Sequence, residues 1–486
     1  MEQINRRKFI EKSLILNGSI LLGASWFSQF MEGFTPESSV NYYMPIQENN
    51  PALMRWEKKC KGCRECIKAC TEKQKVYGTY TATKTNHVCI HCGTCLSACT
   101  KNAITEKYQW QDVLDAIDNP SKIVIASVSP SVPVGIGDYF GMEAGSYLSE
   151  NIGGACRALG FDYVLDTDFS ADLTVIEEAN EFQKRVLGNG TLPQFTSCCP
   201  AWVKYVEIYY PSLLKHLSTA RSPIIMQGAM VKTYYAKKKG IDPRNIVHVA
   251  ITPCTSKKFE VTRPELTTEG MRSTDISLTT NELAIMLKKR NIDLASQKSK
   301  YDSLMGSASG AGVIFGNSGG VMRAAIRTAY YNLTGSNPPS DIMELKKVQG
   351  LTGIKEATVT IGKTTLNVAV CYEMRNARVI LDQVMKGTCK YDFVEVMACE
   401  GGCVGGAGQP PKTIANLQKR ISALDKADTK ATIRLSHENP EIKAIYKHFL
   451  RKAGSKKSEE YLHTSYNNKS DLLLTAVNEK VVEAAK

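Results

Sequence analysis

The sequence lacks the features that identify nucleic-acid-binding and dinucleotide-binding proteins. Its formal net charge is +13, yet it has no lysine and arginine run interleaved with aromatic residues and no nucleic-acid motif. A solvated basic face explains the charge, and no nucleic-acid partner is expected. Gly135-Ile-Gly137 and Gly310-Ala-Gly312 match only part of the G-x-G-x-x-G fingerprint. Packing or turn glycines explain both stretches better than a bound dinucleotide does.

The first 32 residues lack the uniformly apolar run of a membrane-spanning helix, which needs about 20 predominantly apolar residues. They carry the pair Arg6-Arg7, and their uncharged stretch over residues 13–31 is diluted by Asn17, Gly18 and several serines. A basic start, twin arginines and a weak apolar core resemble a twin-arginine export signal, which carries folded proteins. We therefore predict a periplasmic or exported protein that meets the twin-arginine machinery. The alternative is an uncleaved anchor, which would confine membrane contact to residues 1–32.

Beyond this segment, apolar runs alternate with amphipathic stretches. Ile123–Val128, Ile246–Ile251 and Phe393–Met397 have the pattern of buried strands, whereas Leu173–Leu187 and Met374–Met385 have a helical pattern. Strands that alternate with helices predict an α/β domain with parallel sheets. The predicted organisation is a linker over residues 33–48, a cysteine-dense domain over 49–104, the α/β domain over 120–411, a helical region over 412–466 and a tail over 467–486.

Eight of the 16 cysteines form the pattern C-x-x-C-x-x-C-x-x-x-C twice. Thiolates suit iron–sulfur clusters, and in two-cluster ferredoxins the fourth cysteine of each run binds the other cluster. Zinc needs only paired C-x-x-C units and gives no reason for Cys66 and Cys95. We therefore predict a ferredoxin-like α+β domain with two [4Fe–4S] clusters, although Thr71 and Thr100 replace the usual proline after each run. The predicted ligand sets are Cys60, Cys63, Cys66 and Cys99 for one cluster, and Cys89, Cys92, Cys95 and Cys70 for the other.

Five more cysteines lie in three separate segments, two of which follow a predicted strand. Ligands of open α/β sheets bind outside the carboxyl ends of strands, so we expect these segments to meet at one site. Four thiolates would hold a cluster and leave one thiol over, and the glycines after Cys403 would let the backbone approach a bulky metal group. The residues alone indicate a metal centre without identifying it. The segments are TSCCPAW over residues 196–202, TPCTSKKFE over 252–260 and EVMACEGGCVGGAGQP over 395–410.

These segments resemble the signature motifs of iron–iron hydrogenases, T-S-C-C-P-x-W, M-P-C-x-x-K-x-x-E and E-x-M-A-C-x-G-G-C-x-x-G-G-G-Q-P. The resemblance covers nearly all of residues 49–466, since residues 435–440 and 462–464 are similar to the separate small subunit of periplasmic members. It implies a two-lobed α/β catalytic domain with the active site between the lobes, and the reversible oxidation of dihydrogen to protons and electrons. The implied cofactor is a cubane bridged to a diiron unit with carbonyl, cyanide and dithiolate ligands. The implied partners are a ferredoxin or cytochrome and the maturation enzymes.

The resemblance also implies roles for residues of this chain. Cys199, Cys254, Cys399 and Cys403 would ligate the cubane, Cys403 would bridge to the diiron unit, and Cys198 would pass protons to it. The residues implied to line the diiron unit are Lys257, held by Glu260, together with Pro130, Ser131, Pro223 and Met397. The remaining cysteines are expected to be small buried hydrophobes: Cys156, Cys371 and Cys389.

Members of this family use two glutamates three residues apart and a downstream serine as a proton path. Glu178 and Glu181 stand three apart on a predicted helix and share a face, and Ser218 occupies the matching downstream place. The predicted order is Cys198–Glu181–Ser218–Glu178, from the buried site to the surface. A solvated helix face is the ordinary interpretation of such a pair, but the family spacing outweighs it.

Two positions depart from the family pattern, because Thr252 replaces a methionine and Ala407 replaces the middle glycine. The threonine hydroxyl is expected to place a hydrogen-bond donor near the metals and to alter rate and direction. His91, inside the second cysteine run, is expected at the surface. The presence of Cys198 and the two glutamates argues against a non-catalytic iron–sulfur assembly protein of the same family, and the short tail after Tyr466 argues against a hydrogen sensor.

Overall fold

The computed structural model describes residues 44–78, 88–188 and 190–474. The predicted export signal over residues 1–32 lies outside them, and the part of the chain that is described contains no helix long and apolar enough to cross a membrane. The strands of these residues, numbered along the chain, are β1 Leu53–Arg55, β2 Ile104–Glu106, β3 Ile123–Val128, β4 Tyr163–Asp166, β5 Gln194–Phe195, β6 Ile246–Thr252, β7 Thr267–Thr268, β8 Met271–Arg272, β9 Ile276–Thr279, β10 Ile354–Ile361, β11 Thr364–Tyr372 and β12 Phe393–Met397.

The α-helices of the same residues surround the sheets. In chain order they are α1 Glu65–Ala69, α2 Thr94–Ala98, α3 Trp110–Ile117, α4 Ser149–Leu159, α5 Thr167–Leu187, α6 Pro200–Tyr209, α7 Pro223–Met230, α8 Ala236–Lys239, α9 Ser256–Glu260, α10 Thr280–Lys289, α11 Gly310–Ile314, α12 Gly320–Thr334, α13 Ser340–Glu344, α14 Met374–Met385, α15 Ile414–Lys430, α16 Pro440–Ile445 and α17 Lys456–Leu462. Wider π-helical turns follow α1, α7 and α16 at Cys70–Gln74, Val231–Tyr235 and Tyr446–Leu450. Short 3-10 helices occupy Glu57–Lys59, Ile136–Phe140, Pro211–His216, Pro243–Asn245, Lys346–Val348, Cys403–Gly405 and Ser436–Glu438.

The first large sheet has four parallel strands in the order β4-β3-β6-β9. Val124 of β3 packs in one buried cluster with Ile152 of α4, and Ile125 packs in another with Phe169 of α5. Because helices cover both faces, the strands are continuous apolar runs in the sequence. The predicted strands at β3 and β6 are confirmed, and β6 continues one residue further, to Thr252.

The second large sheet has the order β10-β11-β12-β5. It is parallel from β11 to β5 but antiparallel between β10 and β11, so the prediction of parallel sheets is wrong at this edge. Ile361 pairs with Thr364, which leaves the two-residue turn Gly362-Lys363, with Gly362 at φ +61°. A two-residue turn joins only antiparallel neighbours, whereas parallel strands need a long crossover.

Helix α5 carries the predicted proton-path glutamates and begins earlier than expected. The sequence pattern predicts a helix over Leu173–Leu187, but the helix begins at Thr167, where the Asp166 side chain accepts a hydrogen bond from Asp168 N. The first turns are buried on nearly all sides, so no amphipathic pattern marks them. By contrast, α14 has the predicted bounds, Met374–Met385.

The C-terminal helices pack onto the core of the larger fold. Asn439 caps α16, which has Pro440 as its first residue. Ile442 and Leu462 belong to the same buried cluster as residues of α5 and α7. The region predicted over residues 412–466 is therefore helical and shares the core that carries the site.

Candidate active site

A buried cavity lies where strands of both large sheets end. The segments that follow the carboxyl ends of β3, β5, β6 and β12 all line it, which is where ligands of open α/β sheets bind. A water-sized sphere can occupy about 70 Å³ of this cavity. It brings together residues predicted from all three signature segments and from two further loops: Cys198, Cys199, Cys254, Lys257, Met397, Cys399 and Cys403, with Pro130, Ser131 and Pro223.

Four of the cavity thiols form a donor set that fits a cubane. Burial raises the pKa of Cys199, Cys254, Cys399 and Cys403. Neighbouring thiols of the same set raise the pKa of Cys254, Cys399 and Cys403 further, which shows that the four lie close together. Burial without a metal disfavours thiolates, and soft metal ions stabilise them. The residues therefore fit an iron–sulfur group.

Lys257 is fixed at the wall of this cavity. Its Nζ donates to the Cys198 carbonyl oxygen at 2.9 Å and to Glu260 Oε2 at 2.8 Å. Ser222 Oγ donates to the same Glu260 oxygen at 2.9 Å. Burial alone would lower the pKa of Lys257, but Glu260 and Cys254 outweigh it and raise the pKa. The cavity therefore presents a fixed ammonium group, as the sequence predicts.

The structure places Glu178 next to Cys198 and Glu181 farther out, so the predicted order of the proton path is wrong. Burial raises the pKa of Cys198 well above its usual value, and Glu178 is the first charged neighbour that raises it further. Ser218 Oγ donates to Glu181 Oε2 at 2.7 Å, and Arg185 donates to Glu181 Oε1 at 2.6 Å. Helix α5 begins at the cavity wall, and three residues advance its axis by about 4.5 Å. The observed order is Cys198–Glu178–Ser218–Glu181.

Glu178 is a buried carboxyl group without a hydrogen bond of normal geometry. Its side chain is 1% exposed, and neither oxygen has a partner among the residues that the structure describes. Burial raises its pKa well above 4.5, and Glu181 and Glu395 raise it further, while Ser218 acts in the opposite direction. Glu178 therefore stays a neutral acid over a wider pH range than an exposed glutamate does.

Sequence reasoning missed the groups around the outer end of this path. Arg185 lies four residues after Glu181 and pairs with it, a spacing that is visible in the sequence. Glu177 is completely buried and accepts hydrogen bonds from Tyr446 OH and from His463. These two partners lie 269 and 286 residues further along the chain, so no local pattern reveals them.

The two cysteine loops repeat one backbone conformation. Gly62 and Arg64 in the first loop have φ of +67° and +65°, and His91 and Gly93 in the second have +61° and +72°. The left-handed residues thus stand at matching positions, each loop leads into a short helix, and β1 pairs antiparallel with β2 around the pair. The repeat in the sequence is therefore also a repeat in the structure.

The described residues bring the predicted cluster ligands together in a crossed arrangement. After burial, which is the largest cause, Cys99 and Cys63 raise the pKa of Cys66, and Cys92 and Cys89 raise that of Cys70. The fourth cysteine of each run thus lies with cysteines of the other run. Among the residues that the structure describes, no three His, Cys, Asp or Glu side chains converge on a single metal ion. Cys60 is half-buried, Cys63 is exposed and Cys95 is buried.

His91 is buried, so the prediction of a surface position is wrong. Its side chain is 5% exposed, with Nδ1 3.2 Å from Asn50 Oδ1 and Nε2 2.7 Å from Lys204 Nζ. Thr255 Oγ1 donates to the His91 carbonyl oxygen at 2.9 Å. Burial lowers the pKa of Lys204 to about 8. The second cysteine loop packs against α6 and the segment before α9. This tertiary contact buries the His91 side chain although histidine is polar.

The two departures from the family motifs have local explanations. Thr252 Oγ1 lies 3.3 Å from the Cys254 carbonyl oxygen and 3.4 Å from that of Leu278. The hydroxyl therefore lies within hydrogen-bond distance of two backbone carbonyl oxygens, although Thr252 also lines the cavity. Ala407 packs against Gly93 of the second cysteine loop. A Cβ atom added to Gly93 would lie only 2.3 Å from the Cβ atom of Ala407.

The fold and the thiol-lined cavity define an α/β iron–sulfur enzyme. The family described as iron only hydrogenase large subunit, C-terminal domain, matches residues 122–407, and the family described as iron hydrogenase small subunit matches residues 414–469. The first match covers more than half of the chain. The chain therefore belongs to the iron–iron hydrogenase family, with large- and small-subunit regions in one polypeptide.

Known proteins support this assignment to the family. Iron hydrogenase 1 of Clostridium pasteurianum is 39% identical over 456 residues, which cover 89% of this chain and 78% of the relative. The periplasmic [Fe] hydrogenase large subunit of Nitratidesulfovibrio vulgaris is 49% identical over 289 residues, 59% of this chain and 68% of the relative. A solved [FeFe]-hydrogenase from Chlamydomonas reinhardtii matches with a TM-score of 0.66 and 39% identity, over 74% of this chain and 98% of that one. Cytosolic iron–sulfur assembly component 3 of Bos taurus is 29% identical over 405 residues, 78% of this chain and 83% of the relative.

Proposed function

We propose that this chain catalyses the reversible oxidation of dihydrogen at a diiron unit joined to a cubane, with two [4Fe–4S] clusters carrying the electrons. The observation that carries the proposal is the cavity itself. It gathers five cysteines and the Lys257–Glu260 pair beside a buried glutamate relay. An iron–sulfur group that only stored electrons would need the ligands but not the relay.

Some cavity residues would ligate the cofactor, and others would hydrogen-bond to it or line the cavity around it. Cys199, Cys254, Cys399 and Cys403 would hold the cubane, and Cys403 would also hold the diiron unit. When bound, the diiron unit supplies the metal at which the bond between the two hydrogen atoms is made or broken. The fixed ammonium of Lys257, kept in place by Glu260, would donate to a cyanide ligand. The remaining lining residues would exclude water and shape the cavity: Pro130, Ser131, Pro223 and Met397.

Protons would leave or reach the cavity through side chains of this chain alone. The buried thiol of Cys198 stays protonated, so it can give a proton inward and regain one from the neutral carboxyl of Glu178. Ser218 connects Glu178 with Glu181, to which its hydroxyl already donates. A positioned acid–base group of this kind contributes about 10²–10⁴-fold to a rate.

Electrons would pass through the ferredoxin-like segment predicted over residues 49–104. Cys63 is exposed, so the first cluster would come nearest to the surface there. Lys58, Lys59 and Lys61 flank this loop and are exposed. Opposite charges guide the association of redox partners, so we expect the ferredoxin or cytochrome that exchanges electrons here to present an acidic face.

Export and maturation complete the proposal. The periplasmic relative and the twin arginines Arg6 and Arg7 support a periplasmic or exported protein. Maturation enzymes would install the diiron unit first, because the twin-arginine route carries folded proteins.

Replacing Cys198 with alanine tests the proposed function. The matured variant should keep the carbonyl and cyanide infrared bands, because Cys198 is not a ligand, but should lose at least about 10²-fold in hydrogen evolution. Cys156→Ala is the matched control, since Cys156 is completely buried in the core of the first sheet and should retain both bands and activity. Substantial turnover by Cys198→Ala would contradict the assignment. Absence of hydrogen chemistry in the wild type would favour the assembly-protein alternative.

A further inference from the structure

Glu181, the outermost carboxylate of the relay, is paired with an arginine on one side, and its side chain is 15% exposed. Its Oε1 accepts from Arg185, whose guanidinium does not release a proton in proteins. Its other bonded neighbours in the described part of the chain are Ser218, which leads inward, and Thr219, which donates from its backbone N at 3.0 Å. Within these residues, the protein group that leads outward from Glu181 is Thr219.

The Thr219 hydroxyl leads to an imidazole. Its Oγ1 lies 3.4 Å from Glu181 Oε2 and 2.8 Å from His463 Nδ1. Glu459 Oε2 lies 3.7 Å from the same nitrogen, and the Glu459 side chain is 49% exposed. A line of polar groups therefore runs from Glu181 to the solvent through one hydroxyl and one imidazole.

Glu177 fixes the orientation of this imidazole. Its Oε2 lies 3.1 Å from His463 Nε2, and its Oε1 accepts from Tyr446 OH at 2.5 Å. Ser458 Oγ and the Gly454 backbone also donate to it. Burial would raise the pKa of Glu177, but His463 and the hydroxyls outweigh it and lower the pKa. The carboxylate therefore stays charged, binds Nε2 and leaves Nδ1 facing the threonine hydroxyl.

Backbone pairing holds the two sides of this contact together. Ala220 and His463 form an antiparallel β-bridge, and Thr464 N donates to the Thr219 carbonyl oxygen at 2.8 Å. The histidine is thus fixed to the same backbone segment that carries Ser218. Its position does not depend on a flexible surface side chain.

The carboxylates that face His463 favour its protonated form. Glu177 and Glu181 face it from α5, and Glu459 faces it from α17. Arg221 Nε donates to the His463 carbonyl oxygen at 2.8 Å. Burial lowers the pKa of His463, but Glu177, Glu459 and Glu181 outweigh burial and raise the pKa above 6.5. An imidazole in such surroundings can both hold and release a proton near neutral pH.

We propose that His463 exchanges protons between Glu181 and the solvent, through Thr219 on the inner side and Glu459 on the outer side. This inference rests on the proposed function, because it extends the relay of the same site. During hydrogen evolution, Nδ1–H gives its proton to Thr219 Oγ1 while the Thr219 hydroxyl gives its own proton to Glu181. The neutral imidazole then regains a proton at Nδ1 from the Glu459 side. During hydrogen oxidation the same protons move outward, and no electron is transferred in these steps.

The variant His463→Gln tests the proposal in the matured holoenzyme. Glutamine can still form hydrogen bonds but carries no exchangeable charge near neutral pH. We expect hydrogen evolution with reduced viologen to fall by about 10²-fold and the limb of the pH–rate profile that belongs to the imidazole to disappear. The carbonyl and cyanide bands should not change. An infrared pH titration of the relay carboxyl groups detects the coupling between His463 and these groups without turnover. In His463→Gln, the change in the carboxyl bands that accompanies titration of the imidazole should be absent.

A matched pair at Thr219 separates a relay from a structural role. Thr219→Val removes the hydroxyl at nearly constant shape and should lower the rate as His463→Gln does, whereas Thr219→Ser keeps the hydroxyl and should remain close to wild type. Wild-type rate and pH profile in His463→Gln would overturn the inference. The inference would also be overturned if His463→Gln, Thr219→Val and Thr219→Ser all had a lowered rate but an unchanged pH profile. If wild type itself evolves no hydrogen, the proposed function fails together with this extension.

Discussion

Glu178→Gln is the substitution for which the structure predicts opposite effects on activity and on stability. Glutamine has nearly the same shape but cannot pass on a carboxyl proton between Cys198 and Ser218. Losing one relay group costs about 10²–10⁴-fold in rate, which corresponds to about 2.7–5.4 kcal/mol of activation free energy at 1.36 kcal/mol per decade. We therefore expect hydrogen evolution to fall by that factor.

Stability should change in the other direction, because Glu178 is buried without a hydrogen bond of normal geometry among the described residues. Folding raises its pKa above the usual 4.5, so its contribution to stability is fully present below that value and is lost as the pH rises through the folded pKa. Each unit of such a shift is worth about 1.36 kcal/mol. Glutamine does not ionise, so the variant should unfold at an equal or higher temperature than wild type, with a difference that grows as the pH rises above 4.5.

The preceding residue provides the matched control for stability. Glu177 is equally buried but accepts hydrogen bonds from four donors, and its pKa is lowered. Its contribution is therefore present above its unfolded pKa and lost as the pH falls. Glu177→Gln should destabilise by about 3 kcal/mol near neutral pH. Thermal unfolding and viologen-linked hydrogen evolution measure both effects. If Glu178→Gln keeps most of the activity, Glu178 is not a relay group; if both variants lower the unfolding temperature alike, the buried carboxyl of Glu178 is not destabilising.

Three further experiments test the cysteine assignment, the export signal and the role of Thr252. Cys403→Ser should lose the diiron infrared bands. Cys371→Ser, in a core strand, should cost about 1–3 kcal/mol of stability and keep activity. Similar spectra from the two variants would contradict the division of the cysteines into metal ligands and packing residues. Replacing Arg6 and Arg7 together with lysine should retain the protein in the cytoplasm, and periplasmic accumulation on fractionation would refute twin-arginine export. Thr252→Met should leave the ratio of oxidation to evolution currents in film voltammetry unchanged, because the threonine hydroxyl already bonds to the backbone; a shifted ratio would show that it acts on the metals.

The parts of the fold that follow from local patterns were predictable. The strands at Ile123 and Phe393 are apolar runs that helices cover on both sides, and α14 has one apolar face, so its bounds match. The start of α5 was not predictable, because its first turns are buried on nearly every side. The antiparallel edge strand β10 does not follow from the alternation of strands and helices, because the two-residue turn at Gly362 sets its direction locally.

The membership of the candidate site was predictable, but its internal geometry was not. The signature segments place Cys198, Cys254 and Cys403 in one cavity, since strand ends converge. The order of the two glutamates depends on the direction in which α5 leaves the cavity, and spacing alone does not reveal a direction. The burial of His91 and its contact with Lys204 depend on how the cysteine-dense segment packs, which local patterns do not encode.

The central claim is that the thiol-lined cavity holds a diiron unit joined to a cubane. The most direct test is an infrared spectrum of the protein after maturation, because carbonyl and cyanide ligands absorb where protein groups do not. We expect sharp bands from both kinds of ligand, which respond when hydrogen is added and disappear in Cys403→Ser. A matured protein that contains its iron–sulfur clusters but shows none of these bands would mean that the cavity does not hold a diiron unit.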